Sequence, residues 1–179
     1  LLNWEDSFNR WMTERNYVLV DPDAYHVHVR FNIKKEESRH FTRQFNESAQ
    51  IGYLSSFRDS INYVQLLSKK MGYQFHCITS LSKDRCAQQL RIYNLENVFG
   101  RNIFEKFLFA DTGQDKNHLL KDYMDSNFVW VEDKPSNAED GLKYGLQCFL
   151  MDHVYNRDYN HPMIARVKSW REIFEKIIT

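Results

Sequence analysis

The chain has 179 residues, 42% of them hydrophobic and 27% charged, so it has enough apolar material for a core and is neither a disordered nor a fibrous sequence. Twenty-four basic side chains cancel twenty-four acidic ones, which excludes a global field that would gather nucleic acid or an anionic membrane and leaves any anion specificity to a local pocket. The longest apolar runs, such as FVWV at 128–131 and CFLM at 148–151, fall far short of the ~20 residues a membrane-spanning helix needs.

The first residues, LLNWEDSFNRWM, carry acids early and have no basic region ahead of an apolar one, so they do not read as a secretory signal. Cys77, Cys86 and Cys148 are spaced for neither a paired framework nor a zinc half-site. Reduced cysteines and a cytoplasmic setting are therefore expected. Because the chain opens on Leu1-Leu2, already inside a helical pattern, a segment upstream of residue 1 is expected as well.

Trp4, Phe8, Trp11 and Met12 recur at helical spacing behind Asn3, which predicts a helix over 4–15. Residues 17–33 read as extended but irregular around Asp21-Pro22-Asp23, with strand-like alternation from Tyr25 to Phe31. The polar stretch 34–50 sets Phe41 and Phe45 one turn apart and predicts a second helix. The apolar stripe Tyr53, Leu54, Phe57, Ile61, Val64, Leu67, Met71, closed by Gly72, predicts a third. Beyond Gly72 the rhythm becomes that of βαβ units. Four parallel strands are expected at 73–79, 107–110, 128–131 and 148–151, with helices near 84–97, 116–125, 135–145 and 166–178.

In an open parallel sheet, ligands bind beyond the carboxyl ends of the strands, so chemistry is sought there. The residues at those ends are polar: Thr79 and Ser80, then Asp111 through Lys116, then Glu132, Asp133 and Lys134. Hydroxyls can hold phosphate oxygens, a lysine at a helix start adds positive charge, and an acidic pair can hold Mg²⁺ through hard oxygen ligands. Together these are the parts of a phosphoryl-transfer site. His26 and His28 could share a face as a metal pair, but no third or fourth ligand is evident.

In this arrangement the chain resembles the haloacid dehalogenase-like (HAD) phosphohydrolases, in particular their 5′(3′)-deoxyribonucleotidase branch. HCITS matches the hydroxyl motif, with Thr79 or Ser80 at the phosphate, TGQDKNHLL matches the lysine motif at Lys116, and WVEDKPSNAEDG matches the acidic motif at Glu132 and Asp133. GLQCFLMDHVYN looks like the last strand and its following loop. The resemblance implies an α/β fold, a HAD-like Rossmannoid three-layer parallel sheet with a small helical cap inserted after the first strand. Residues 1–71 would be the mainly helical cap segment and 72–179 the core.

It further implies a Mg²⁺-dependent phosphatase acting on a small phosphomonoester, a nucleoside 5′-monophosphate, through an aspartyl-phosphate. Lys116 and Thr79 would be catalytic, Thr79, Ser80 and Lys116 would bind phosphate, and Asp133 and Glu132 would hold the metal. The alternatives are a phosphatase acting on polynucleotide ends and a non-catalytic HAD-like binding or structural protein. The expected partner is a small phosphorylated substrate, with no membrane and no strong nucleic-acid signal, and self-association stays open.

The family's nucleophilic DxD motif has no clear match. It is expected either upstream of Leu1 or, within the chain, at Asp21 and Asp23 in VLVDPDAY, with residues 17–21 filling a central strand slot. Against the second choice, Pro22 removes a backbone donor. In either case 73–79 and 128–131 should not pair directly, because the nucleophile strand would lie between them.

Overall fold

A computed structural model describes residues 1–178, which divide into two compact units, Leu1–Gln114 and the part from Asp115 onward. The first unit opens with α1 (Trp4–Thr13), capped as expected by the Asn3 side chain, which accepts from the backbone N–H of Asp6. The short α2 (Val27–Arg30) and α3 (Lys35–Asn46) follow, then a 3₁₀ turn at Ala49–Gly52 and α4 (Ser60–Met71). Gly72 closes α4 in the left-handed conformation, φ 75°, which a glycine adopts without a Cβ penalty. Parallel strands β1 (Phe75–Ser80) and β2 (Phe104–Ala110) flank α5 (Arg85–Phe99).

An aromatic cluster holds these helices together. Trp4 stacks on Phe8 at 4.6 Å, and Phe45 meets Phe8 edge-on at 5.3 Å and Trp11 at 5.6 Å. The same core takes in Ile51 and Leu54 and, from the βαβ part of the unit, Leu81 and Ala87. The helices of 1–71 and the first βαβ segment thus share one core.

The second unit carries α6 (Asn117–Leu120), β3 (Val129–Glu132), α7 (Pro135–Lys143), β4 (Gln147–Met151), β5 (Ile164–Val167) and α8 (Trp170–Ile178). Its sheet is parallel throughout, in the order β3-β4-β5. α7 packs close to the sheet at Gly141, where an added Cβ would come within 2.4 Å of Trp130 and 2.8 Å of Cys148. Burial, with the Glu132 charge adding to it, pushes the Cys148 thiol up to about 12.

Several expectations are corrected. Tyr25–Phe31 contains a helical turn rather than a strand, because Arg30 folds inward and its guanidinium bonds Glu5 at 2.8 Å and the Ala24 carbonyl at 2.7 Å. The helix expected from Tyr53 begins only at Ser60, since residues 55–57 pair with the chain start: Leu2 bridges Ser56, and the Phe57 N–H donates to the Leu1 carbonyl at 2.7 Å. A fifth strand, Ile164–Val167, stands partly where the last helix was expected.

Residues 17–21 form no strand, so they fill no slot in a sheet. Asp21 and Asp23 lie in an exposed turn in which the Asp21 side chain accepts from the Asp23 N–H at 3.1 Å. Among the described residues β1 pairs with β2 in the first unit, and β3 pairs with β4 in the second.

Candidate active site

In the second unit, β3 is apolar until its last residue, and the in-register pairing of Glu132 with Leu150 carries that carboxylate into the interior. A buried charge needs a partner. Lys116, at the start of α6, supplies it, with Nζ 2.5 Å from Glu132 Oε1. The ammonium also lies 5.7 Å from the centroid of the Trp130 ring, within cation–π range. The second carboxylate oxygen of Glu132 accepts from the Asp133 N–H at 3.3 Å. Burial raises the Glu132 carboxyl above its ordinary range; Lys116 pulls it down, and the Asp133 charge pushes it up again.

Asp133 stands at the surface, one residue past the strand. Its backbone carbonyl accepts from Asn156 Nδ2 at 2.7 Å and its Oδ2 from the Tyr155 hydroxyl at 2.7 Å, while Oδ1 accepts from no amide or alcohol donor of a described residue and the carboxyl lies within hydrogen-bonding reach of that of Glu132. Desolvation pushes this carboxyl up, but the Tyr155 hydrogen bond and the charges of Lys116 and His153 outweigh it and hold it below the usual range.

Mg²⁺ takes one or two protein carboxylates and completes its shell with water and substrate phosphate. Asp133, ionised and with one oxygen open, fits that role. Glu132, with both oxygens engaged, acts on Lys116. Among the described residues there is no group of three or more His, Cys, Asp or Glu placed to hold a metal ion.

In the first unit, Thr79 and Ser80 end β1. The Thr79 hydroxyl has no hydrogen-bond partner among the described residues, whereas Ser80 Oγ donates to the Gln114 carbonyl at 2.8 Å. The loop after β1 is fixed from α3. Buried Asn46 donates to the Leu81 carbonyl at 2.9 Å and accepts from Trp4 Nε1 at 2.9 Å, and Ser82 Oγ donates to Glu47 at 2.5 Å. The Thr112 hydroxyl also donates to the Leu81 carbonyl. Asp111, at the end of β2, pairs with Arg43 at 3.1 Å, and that hydrogen-bonded guanidinium, with the Thr112 N–H, holds its carboxyl below the usual range.

The structure thus brings Lys116, Glu132 and Asp133 together, and it leaves the Thr79 hydroxyl unengaged at its own strand end. Sequence reasoning missed Tyr155, Asn156 and Asn46. The first two follow β4 in DHVYN, so the strand-end rule that singled out Glu132 would have reached them. Asn46 carried no signal.

No protein-family profile and no curated protein matches this sequence. Its structure is similar to that of a haloacid dehalogenase-like family hydrolase from Streptococcus pneumoniae, with a TM-score of 0.56 and 14% identity over 96% of this chain and 89% of that one. At that identity the likeness is one of fold: the chain has the HAD-like Rossmannoid α/β architecture.

Proposed function

We propose that this protein is a Mg²⁺-dependent HAD-like phosphatase that hydrolyses a small phosphomonoester, a nucleoside 5′-monophosphate, through an aspartyl-phosphate. The observation that carries the reading is the pairing of Lys116 with buried Glu132 directly beside an ionised Asp133 with an open oxygen, all at the carboxyl end of a parallel strand. The fold shared with a haloacid dehalogenase-like family hydrolase supports it.

In this reading Asp133 holds the cation, which supplies charge neutralisation at the phosphoryl oxygens. Glu132 fixes Lys116 through their ion pair, and the ammonium offsets the repulsion between an anionic nucleophile and the phosphate. The Thr79 hydroxyl donates to a phosphate oxygen, with Ser80 beside it. The aspartyl-phosphate calls for a nucleophilic aspartate, which this reading does not place among the described residues. The helices of 1–71 would set substrate choice. A cytoplasmic setting, in which cysteines such as Cys77, Cys86 and Cys148 stay reduced, is part of the same reading.

The test is phosphate release by the full-length protein from nucleoside 5′-monophosphates, nucleoside 3′-monophosphates and 5′-phosphorylated oligonucleotides, with and without Mg²⁺. Metal-dependent release from a mononucleotide is expected. Release from oligonucleotides alone would favour a polynucleotide-end phosphatase, and release from none of them a binding or structural role.

A further inference from the structure

The turn after β4 is built to a degree that a connecting loop does not require. Asn156, 2% exposed, donates from Nδ2 both to the Asp133 carbonyl at 2.7 Å and to the Met151 carbonyl at 2.8 Å. Its Oδ1 accepts from the His153 N–H at 3.0 Å and from Arg166 at 2.9 Å. Arg166, inside β5, also bonds Asp152 at 2.6 Å and the carbonyls of Asn156, at 2.7 Å, and Tyr159. On this frame the Tyr155 ring lies against the His153 ring, with centroids 4.9 Å apart and planes within 18°. The ring is therefore held in orientation, and its hydroxyl ends on one oxygen of a carboxylate.

We infer that Tyr155 is a positioning residue for Asp133, holding Oδ2 so that Oδ1 is presented to the cation. The inference rests on the reading of Asp133 as the metal's ligand. A carboxylate free to rotate would lose torsional freedom on binding the metal. One already clamped by a hydrogen bond from a neutral donor has given up that freedom beforehand, and the donor takes none of the charge the cation needs. Asn156 fixes the main chain of the same residue, so side chain and backbone are set by two consecutive residues of one turn.

The test is Tyr155→Phe in the full-length protein. Mn²⁺ binding is followed through the electron paramagnetic resonance of the free ion, and phosphate release through a Mg²⁺ titration. Removal of an outer partner of a metal ligand weakens metal affinity by about 10- to 100-fold. The variant should therefore bind Mn²⁺ about tenfold more weakly or worse, yet recover kcat to within about twofold at saturating Mg²⁺, with KM for the phosphoester unchanged. Wild-type Mn²⁺ affinity in the variant would overturn the positioning role and leave the assignment of Asp133 standing. A loss of turnover that excess Mg²⁺ does not rescue would mark Tyr155 as structural and overturn it too. A wild-type protein that does not bind Mn²⁺ would overturn the assignment of Asp133 beneath both.

Discussion

Replacing Lys116 by methionine keeps most of the volume of the side chain and removes its charge together with its hydrogen bond to Glu132, which isolates the polar role of the pair from its packing. Glu132, its side chain 3% exposed, would then be a buried carboxylate without a cation, and breaking a buried pair costs about 3–5 kcal/mol. Because the lysine side chain is itself 16% exposed, water reaches its end of the pair and the lower limit, about 3 kcal/mol near pH 8, is expected. The cost should depend on pH. Without the lysine the folded-state affinity of Glu132 for a proton rises further above its unfolded value. The stability of the variant is then greatest below the unfolded carboxyl pKa, about 4.3. It is lost as pH rises towards the raised folded value, by up to about 1.4 kcal/mol per pH unit. Urea unfolding followed by tryptophan fluorescence between pH 5 and pH 8 should show the deficit shrinking as pH falls, and adding Glu132→Leu should restore most of it. A deficit below about 0.5 kcal/mol at pH 8, one that does not change with pH, or a double variant as unstable as the single one would refute the account of the pair.

Gly141→Ala should destabilise the second unit by about 1–3 kcal/mol, because its Cβ would meet Trp130, whose indole is fixed by its hydrogen bond to the Asn137 carbonyl, and Cys148. The gain in helix propensity, about 1 kcal/mol, works against this, and urea unfolding decides the balance. Asp111→Asn should lower stability at pH 7 by about 0.2–1 kcal/mol, through the ion pair with Arg43. The folded carboxyl of Asp111 is depressed, so its contribution is present above the unfolded value of about 3.9 and fades as pH falls through the folded one; the gap between variant and wild type should narrow in urea titrations below about pH 4.

Where the hydrophobic period was long and clean, the sequence alone was sufficient: the stripe behind α1, the part of the next stripe from Ile61 to Met71, the glycine stop at Gly72 and four apolar strand runs all correspond to elements. Short segments were ambiguous. Ile164–Val167 is a strand of four residues with Arg166 inside it, and the reason for that arginine, the turn after β4, lies up to fourteen residues back in the chain. The alternation of Tyr25–Phe31 was overridden by one buried guanidinium seeking Glu5, 25 residues away. The site divides along the same line. Glu132, Asp133, Lys116 and Thr79 were visible because each sits at the end of an apolar run or the start of a helix. The clamp of Tyr155 on Asp133 and the hold of Asn46 on Leu81 span 22 and 35 residues, and no local pattern encodes them.

The central claim is that the carboxyl end of β3 is a metal-dependent phosphoryl-transfer site organised by Asp133, and phosphate release by the full-length Asp133→Asn variant across a Mg²⁺ titration tests it most directly. The account predicts release at background at every Mg²⁺ concentration, with the urea midpoint close to that of wild type, because the substitution removes a metal-binding charge at the surface and leaves the core intact. Wild-type turnover at saturating Mg²⁺ would contradict it.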